Sequence, residues 1–362
     1  MDTLREENST TVRSEPDNHI EASAPVLPTA LPVAGAASRP AQASWVGGDW
    51  WFPLLRAGMR TLSRLAPPLA VALFDRIWFS APRTTPRPEA SAWLARGEPM
   101  PFRLHGHRVN AWSWGRGPTV LLVHGWGGNA GQMHALIGPL LERGLRVVAF
   151  DAPAHGTSDP SRLGGRRVSM IEIADALRVV AAGVGPIAGL VAHSGGCTAT
   201  TLALRDGWAG PERIAFVAPF ALPSEAIAPF GRAIGASAAA TARFRTLVER
   251  RFARPWTDFD MPGLAARRAL PPLLVVHDRD DREVPFFHGQ AVAEAWPQAR
   301  LAETGGLGHR RLLRDPSVVA DIVAFMASGR PGPVPATPAD ARDELDRAYA
   351  AAGLGRDAPM VA

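Results

Sequence analysis

The sequence predicts an α/β fold in which a mostly parallel sheet carries helices on both faces, with a small helical insertion. Two observations support this. From about residue 119, short β-rich apolar runs alternate with stretches of helical periodicity. That alternation pauses between about 219 and 269, where apolar patches keep helical spacing, and then resumes. An insertion at that point lies over the carboxyl ends of the strands, where open α/β sheets bind ligands.

In chain order, residues 1–45 are rich in Ser, Thr, Ala, Pro and acidic side chains, show no periodicity, and are expected to be disordered. A helical segment and linker occupy 46–88. Leu55, Met59 and Leu62 repeat at helical spacing beside a stripe of Arg56, Arg60 and Arg64, and a second apolar helix is expected over 69–78, beyond Pro67 and Pro68. This pair either packs on the body of the protein, at a dimer contact included, or makes a peripheral membrane contact through residues 50–79. The Pro-rich stretch 81–88 reads as a linker to the main domain, 89–328. That domain opens with an antiparallel hairpin over 102–105 and 108–114. Strands are expected at 119–124, 145–150, 187–192, 213–217, 270–277 and 300–303. Helices are expected at 130–143, 169–182 (with Ser169 and Glu172 at capping-box spacing), 197–204, 286–295 and 311–326. The lid, about 220–268, contains helical patches at 226–234 and 238–252. Residues 329–362 form a tail that is helical in part. No internal repeat is present.

Composition narrows the function. All 39 basic residues are arginine, a bias of GC-rich bacterial coding, and they exceed the 34 acidic residues by five. The arginines are scattered among acids, with no run longer than Arg166-Arg167 or Arg250-Arg251, which argues against nucleic acid as a partner. The single cysteine, Cys197, excludes an internal disulfide and reads as a small core residue. There is no Cys/His metal cluster, no signal-peptide pattern at the N-terminus and no apolar run long enough to span a bilayer. Expected placement is cytoplasmic or peripheral to the membrane, and oligomeric state stays open.

The chemistry centres on Leu190-Val-Ala-His-Ser194-Gly-Gly-Cys-Thr198. A buried strand enters Ser194 and a helix leaves it, the layout of a nucleophile elbow. Such a turn is strained and needs small neighbours, here Ala192 and Gly196. The Gly195 N–H stands at a helix N-terminus, suited to stabilising an oxyanion. A serine hydroxyl needs a base, a group orienting that base, and oxyanion donors. In this layout the partners follow as serine, acid, histidine. The acid lies in the loop 278–285. Asp281 is preferred because Val284-Pro285 turns the chain away just after it. Asp278 is the alternative, and Asp278 and Asp280 also read as turn formers. The base is His309, in a glycine-rich loop before a helix. Gly195 and Trp126 supply the oxyanion N–H groups, while His124 and His193 read as bracing residues.

His124-Gly-Trp-Gly127, Asp151-Ala-Pro-Ala-His-Gly-Thr-Ser158, Ala192-His-Ser-Gly-Gly196, Asp281-Arg-Glu-Val-Pro285 and Gly308-His309 resemble, in order, the motifs of the α/β-hydrolase superfamily. The resemblance covers roughly residues 100–327. It implies an α/β-hydrolase fold and a serine hydrolase without cofactor or metal, with Ser194, Asp281 and His309 as its triad. Ala154 departs from the glycine that many relatives place there. The expected reaction is cleavage of a carboxylic ester or thioester through an acyl-enzyme. The same triad also serves amide and C–C bond hydrolysis, and a non-catalytic binding member is the remaining alternative. The lid aromatics Phe220, Phe230, Phe244, Phe252 and Trp256 favour a small-molecule substrate with an apolar group.

Overall fold

The computed structural model describes residues 51–267 and 269–328; the expected tails at 1–45 and 329–362 lie outside them. The chain begins with α1 (Phe52–Leu65) and α2 (Pro67–Phe79). Pro67 and Pro68 end the first helix and also occupy the first turn of the second, where a missing N–H costs nothing. The expected linker is shorter than 81–88, because α3 (Pro88–Arg96) starts inside it on the same proline logic. The run then passes through β1 (Glu98–Pro99), β2 (Phe102–Leu104), β3 (His107–Val109) and β4 (Ala111–Trp114). The expected hairpin therefore divides in two. β2 pairs only with β3, while Asn110 breaks the run by bonding to Thr157 and Ser158, and β4 enters the main sheet.

β5 (Thr119–Val123) leads to a 3-10 segment over Ala130–Leu136 and α4 (Ile137–Leu141), in place of one continuous helix. Met133 leaves helical geometry there, with φ −105° and ψ 22°. β6 (Arg146–Phe150), α5 (Met170–Val184), β7 (Ile187–His193), α6 (Gly195–Arg205) and β8 (Ile214–Val217) follow. The Ser169–Glu172 capping box is formed at the start of α5. The lid holds α7 (Pro223–Ile234), α8 (Ala238–Phe252) and two short 3-10 turns. β9 (Leu273–Asp278), α9 (Phe287–Ala295), β10 (Ala299–Thr304), α10 (Gly308–Arg311) and α11 (Pro316–Ala327) complete the order. The last expected helix divides at Pro316, with Asp315 capping the new N-terminus.

The eight-stranded sheet runs β1-β4-β6-β5-β7-β8-β9-β10, antiparallel only at the β1–β4 and β4–β6 pairings. β5, β7, β8 and β9 are buried along their whole length, as a sheet covered on both faces requires.

The N-terminal helices pack on the lid. Phe74 of α2 stacks on Phe244 of α8, with ring centroids 4.1 Å apart. Trp78 meets Phe230 and Trp256 edge-on at 5.0 and 5.7 Å. Asp75, also on α2, is buried and pairs with Arg167 at 3.4 Å and with Arg251 of α8 at 2.6 Å. The packing leaves Leu54, Leu65 and Leu69 exposed. Among the described residues, no helix is long and apolar enough to cross a membrane.

Candidate active site

β7 delivers Ser194 into a turn with φ 51° and ψ −118°, a conformation that costs a non-glycine residue on the order of 1–3 kcal/mol. The Ser194 N–H donates to Val217 O at 2.9 Å, which holds the strained residue to the neighbouring strand. Small flanks are required by close backbone approach. A Cβ on Gly196 would lie 2.6 Å from His124 O and 2.7 Å from Val123 O. Cys197 is buried behind the turn, its thiol donating to Ala192 O, and burial pushes its pKa up.

The expected acid and base meet at the ends of β9 and β10. His309 Nδ1 lies 2.7 Å from Asp281 Oδ2, while Oδ1 accepts the N–H groups of Glu283 and Val284 at 2.8 and 2.9 Å. Burial alone would raise the Asp281 pKa. Hydrogen bonds from His277 and His309 and from the loop backbone outweigh it and hold the carboxyl well below the usual range. His277 is the partner that sequence reasoning missed. Its Nε2 faces Asp281 Oδ2 at 3.3 Å and Val284 O at 3.0 Å, two acceptors, so that nitrogen carries the hydrogen. Asp278, the alternative acid, points elsewhere. It accepts from Thr304 Oγ1, Leu307 N and Asp280 N, and Asp280 in turn accepts from Gly306 N. Both therefore brace the loop that presents His309.

His193 ties the two halves together, its Nε2–H donating to His309 O at 3.0 Å. Ser194 and His309 face one cavity. The Ser194 hydroxyl makes no hydrogen bond to His309 among the described residues. Such bonds are commonly long in free sites and tighten with substrate.

The Trp126 N–H lies 3.6 Å from where a Cβ on Gly195 would sit, so the two expected oxyanion donors adjoin. Their loop is held rigid. Gly125 N donates to Gln132 Oε1 at 3.0 Å, and His124 Nδ1–H donates to Gly125 O at 2.8 Å while its Nε2 accepts from Ala152 N. His155 Nε2 accepts from Gly127 N at 3.0 Å. Desolvation by burial lowers the pKa of His124 to about 4 and of His155 to about 3, so both brace the loop as neutral rings. Below them Asp151 accepts from Ala130 N and Thr157 N, each at 2.7 Å. Ala154 has φ 62°, the left-handed conformation for which glycine is the usual choice.

The cavity has a volume of about 1430 Å3. Residues 80–87 lie across it as a strap. Ala81 N–H donates to Arg166 O, and Thr84 Oγ1–H donates to Gly127 O at 2.7 Å. Of the lid aromatics named from the sequence, Phe220 and Phe230 line the cavity. Phe244 and Trp256 are instead buried against α2, and Phe252 meets Phe79, so these three are packing residues. Among the described residues no group of side chains has the arrangement of a metal site.

A family profile described as the α/β hydrolase fold matches residues 118–228. A serine hydrolase-like protein of Danio rerio is 37% identical over 83 residues, which are 23% of this chain and 25% of that protein, so the match spans a quarter of that relative's length. The solved structure of a membrane phospholipase A, a bacterial virulence factor, is 17% identical with a TM-score of 0.50, covering 76% of this chain and 96% of its own. An esterase from Rhodococcus sp. ECU1013 is 20% identical with a TM-score of 0.48, covering 64% of this chain and 98% of its own. The matched segment begins at β5, contains the strained serine and ends inside the lid, and the fold built around it is that of the α/β hydrolases.

Proposed function

We propose that the protein is a serine hydrolase that cleaves a carboxylic ester or thioester through an acyl-enzyme. The observation that carries this reading is the buried 2.7 Å contact of His309 with Asp281, on the same cavity as a serine held at positive φ. Ser194 Oγ attacks the carbonyl carbon as His309 Nε2 takes its proton. The oxyanion so formed accepts from the Trp126 and Gly195 N–H groups. Collapse breaks the bond to the leaving oxygen or sulfur, which receives the proton from His309. Water then attacks the acyl-enzyme, giving its proton to His309, and the second collapse returns that proton to Ser194 and releases the acid. Asp281 keeps the imidazole in the tautomer with hydrogen on Nδ1 and stabilises its charged form.

A fluorophosphonate probe tests the reading. Labelling is expected in the wild type and absent in Ser194→Ala, with hydrolysis of a short ester lowered by several orders of magnitude in Ser194→Ala and His309→Ala. A folded wild-type protein that neither labels nor hydrolyses the ester would refute it.

A further inference from the structure

The cavity beside Ser194 exceeds the range of about 300–1,000 Å3 that small-molecule sites ordinarily occupy. Its lining is of two kinds. One wall is apolar and comes largely from the segment preceding the family match: Leu55 of α1 and Leu73, Ile77 and Trp78 of α2, with Phe230 of α7 against Trp78. The charged lining is one-sided. It holds Arg76, Arg87, Arg166, Arg167, Arg310 and Arg314 against a single carboxylate, Glu283. Across the chain, 39 basic residues face 34 acidic ones, so this imbalance belongs to the cavity rather than to composition.

Two of the six guanidiniums are neutralised, Arg167 by Asp75 and Arg310 by Glu283 at 2.9 Å. Arg76, Arg87, Arg166 and Arg314 have no carboxylate partner among the described residues. The strap holds one of them directly, Arg166, whose Nε donates to Ala81 O at 3.3 Å, and Arg76 and Arg87 lie near its two ends. All four are exposed where they line the cavity, and guanidiniums without a carboxylate partner suit a phosphate, whose oxygens accept paired N–H donors.

Resting on the serine-hydrolase reading, we propose that the substrate is an amphiphilic acyl ester or thioester. Its medium or long acyl chain lies along the α1–α2 wall. Its leaving group carries a phosphate held by Arg76, Arg87, Arg166 and Arg314. The phosphate belongs either to a soluble thiol or to a lipid headgroup, and the reaction is the hydrolysis already described.

Matched substrate pairs test this. Dodecanoyl coenzyme A is compared with the neutral dodecanoyl N-acetylcysteamine thioester, and dodecanoyl lysophosphatidic acid with neutral monododecanoyl glycerol. The expected result in one pair is a kcat/KM about tenfold or more higher for the anionic member, weakened by added salt. Which pair shows it identifies the source of the phosphate. Dodecanoyl is expected to exceed butyryl within that pair. In R76Q/R87Q/R166Q/R314Q the anionic preference, read as the ratio of the two kcat/KM values within that pair, is expected to fall to about one. Absence of the preference in both pairs, or its survival in the variant, would overturn the proposal. If the fluorophosphonate still labels Ser194 in that event, only the substrate class falls; if labelling also fails, both readings fall.

Discussion

Asp281 receives hydrogen bonds from His309, His277 and two backbone N–H groups, and each of them stabilises its ionised form. A charge-assisted hydrogen bond is worth about 1.5–3 kcal/mol, so His277→Ala is expected to lower kcat by roughly ten- to a hundredfold. KM should stay near its original value, because His277 touches no substrate. A raised KM with intact kcat would show that His277 shapes the binding cavity instead. The serine was legible in the sequence because its constraint is local: a strand, small flanks and a helix within ten or so residues. His277 was not, because its role depends on the 278–284 turn folding Asp281 back onto the strand that precedes it. Asp278 and Asp280 were legible as turn formers for the opposite reason, since an aspartate bonding to nearby backbone is a short-range event.

At the scale of elements, periodicity located α1, α2 and the lid helices but could not say what their apolar faces meet. From the sequence, the aromatic residues of the lid favour an apolar substrate group, and the structure places only Phe220 and Phe230 at the cavity, with the other three in packing. Phe74 is the centre of the packed set, fully buried and stacked on Phe244. Phe74→Ala is expected to destabilise the fold by about 3–5 kcal/mol, measured as a lowered denaturant midpoint with an unchanged m-value. A loss below about 1 kcal/mol would mean that the helix pair adds little to the stability of the body. The proline-rich stretch 81–88 read as a linker because proline punctuates both linkers and helix starts. Its role as a wall of the cavity arises from contacts with residues far away in sequence, Arg166 and Gly127, and no local pattern announces those.

Across the molecule, several imidazoles are buried in neutral form. Burial depresses His124 to about 4 and His155 and His288 to about 3, and holds His193 well below its ordinary value. In the unfolded chain each titrates near 6.5. Below that pH the unfolded state binds more protons than the folded one, so stability falls as pH decreases from about 6.5 towards 4. Each histidine contributes on the order of 1.4 kcal/mol per pH unit in that window. Urea unfolding at pH 7.5 and pH 5 is expected to show a clearly lower midpoint at pH 5. Equal midpoints would indicate that these rings are charged when folded.

The double pairing of Asp75 bears on where this molecule could be cut. One carboxylate on α2 holds an arginine from the lid and an arginine from the loop before α5. A fragment starting after Phe79 would retain every residue of the matched hydrolase segment, yet it would lack the counterion for Arg167 and Arg251 and the ring that covers Phe244. The smallest autonomous folding unit therefore reaches well upstream of the sequence shared with relatives, and excising the hydrolase body by homology alone would sever it from part of its own interior.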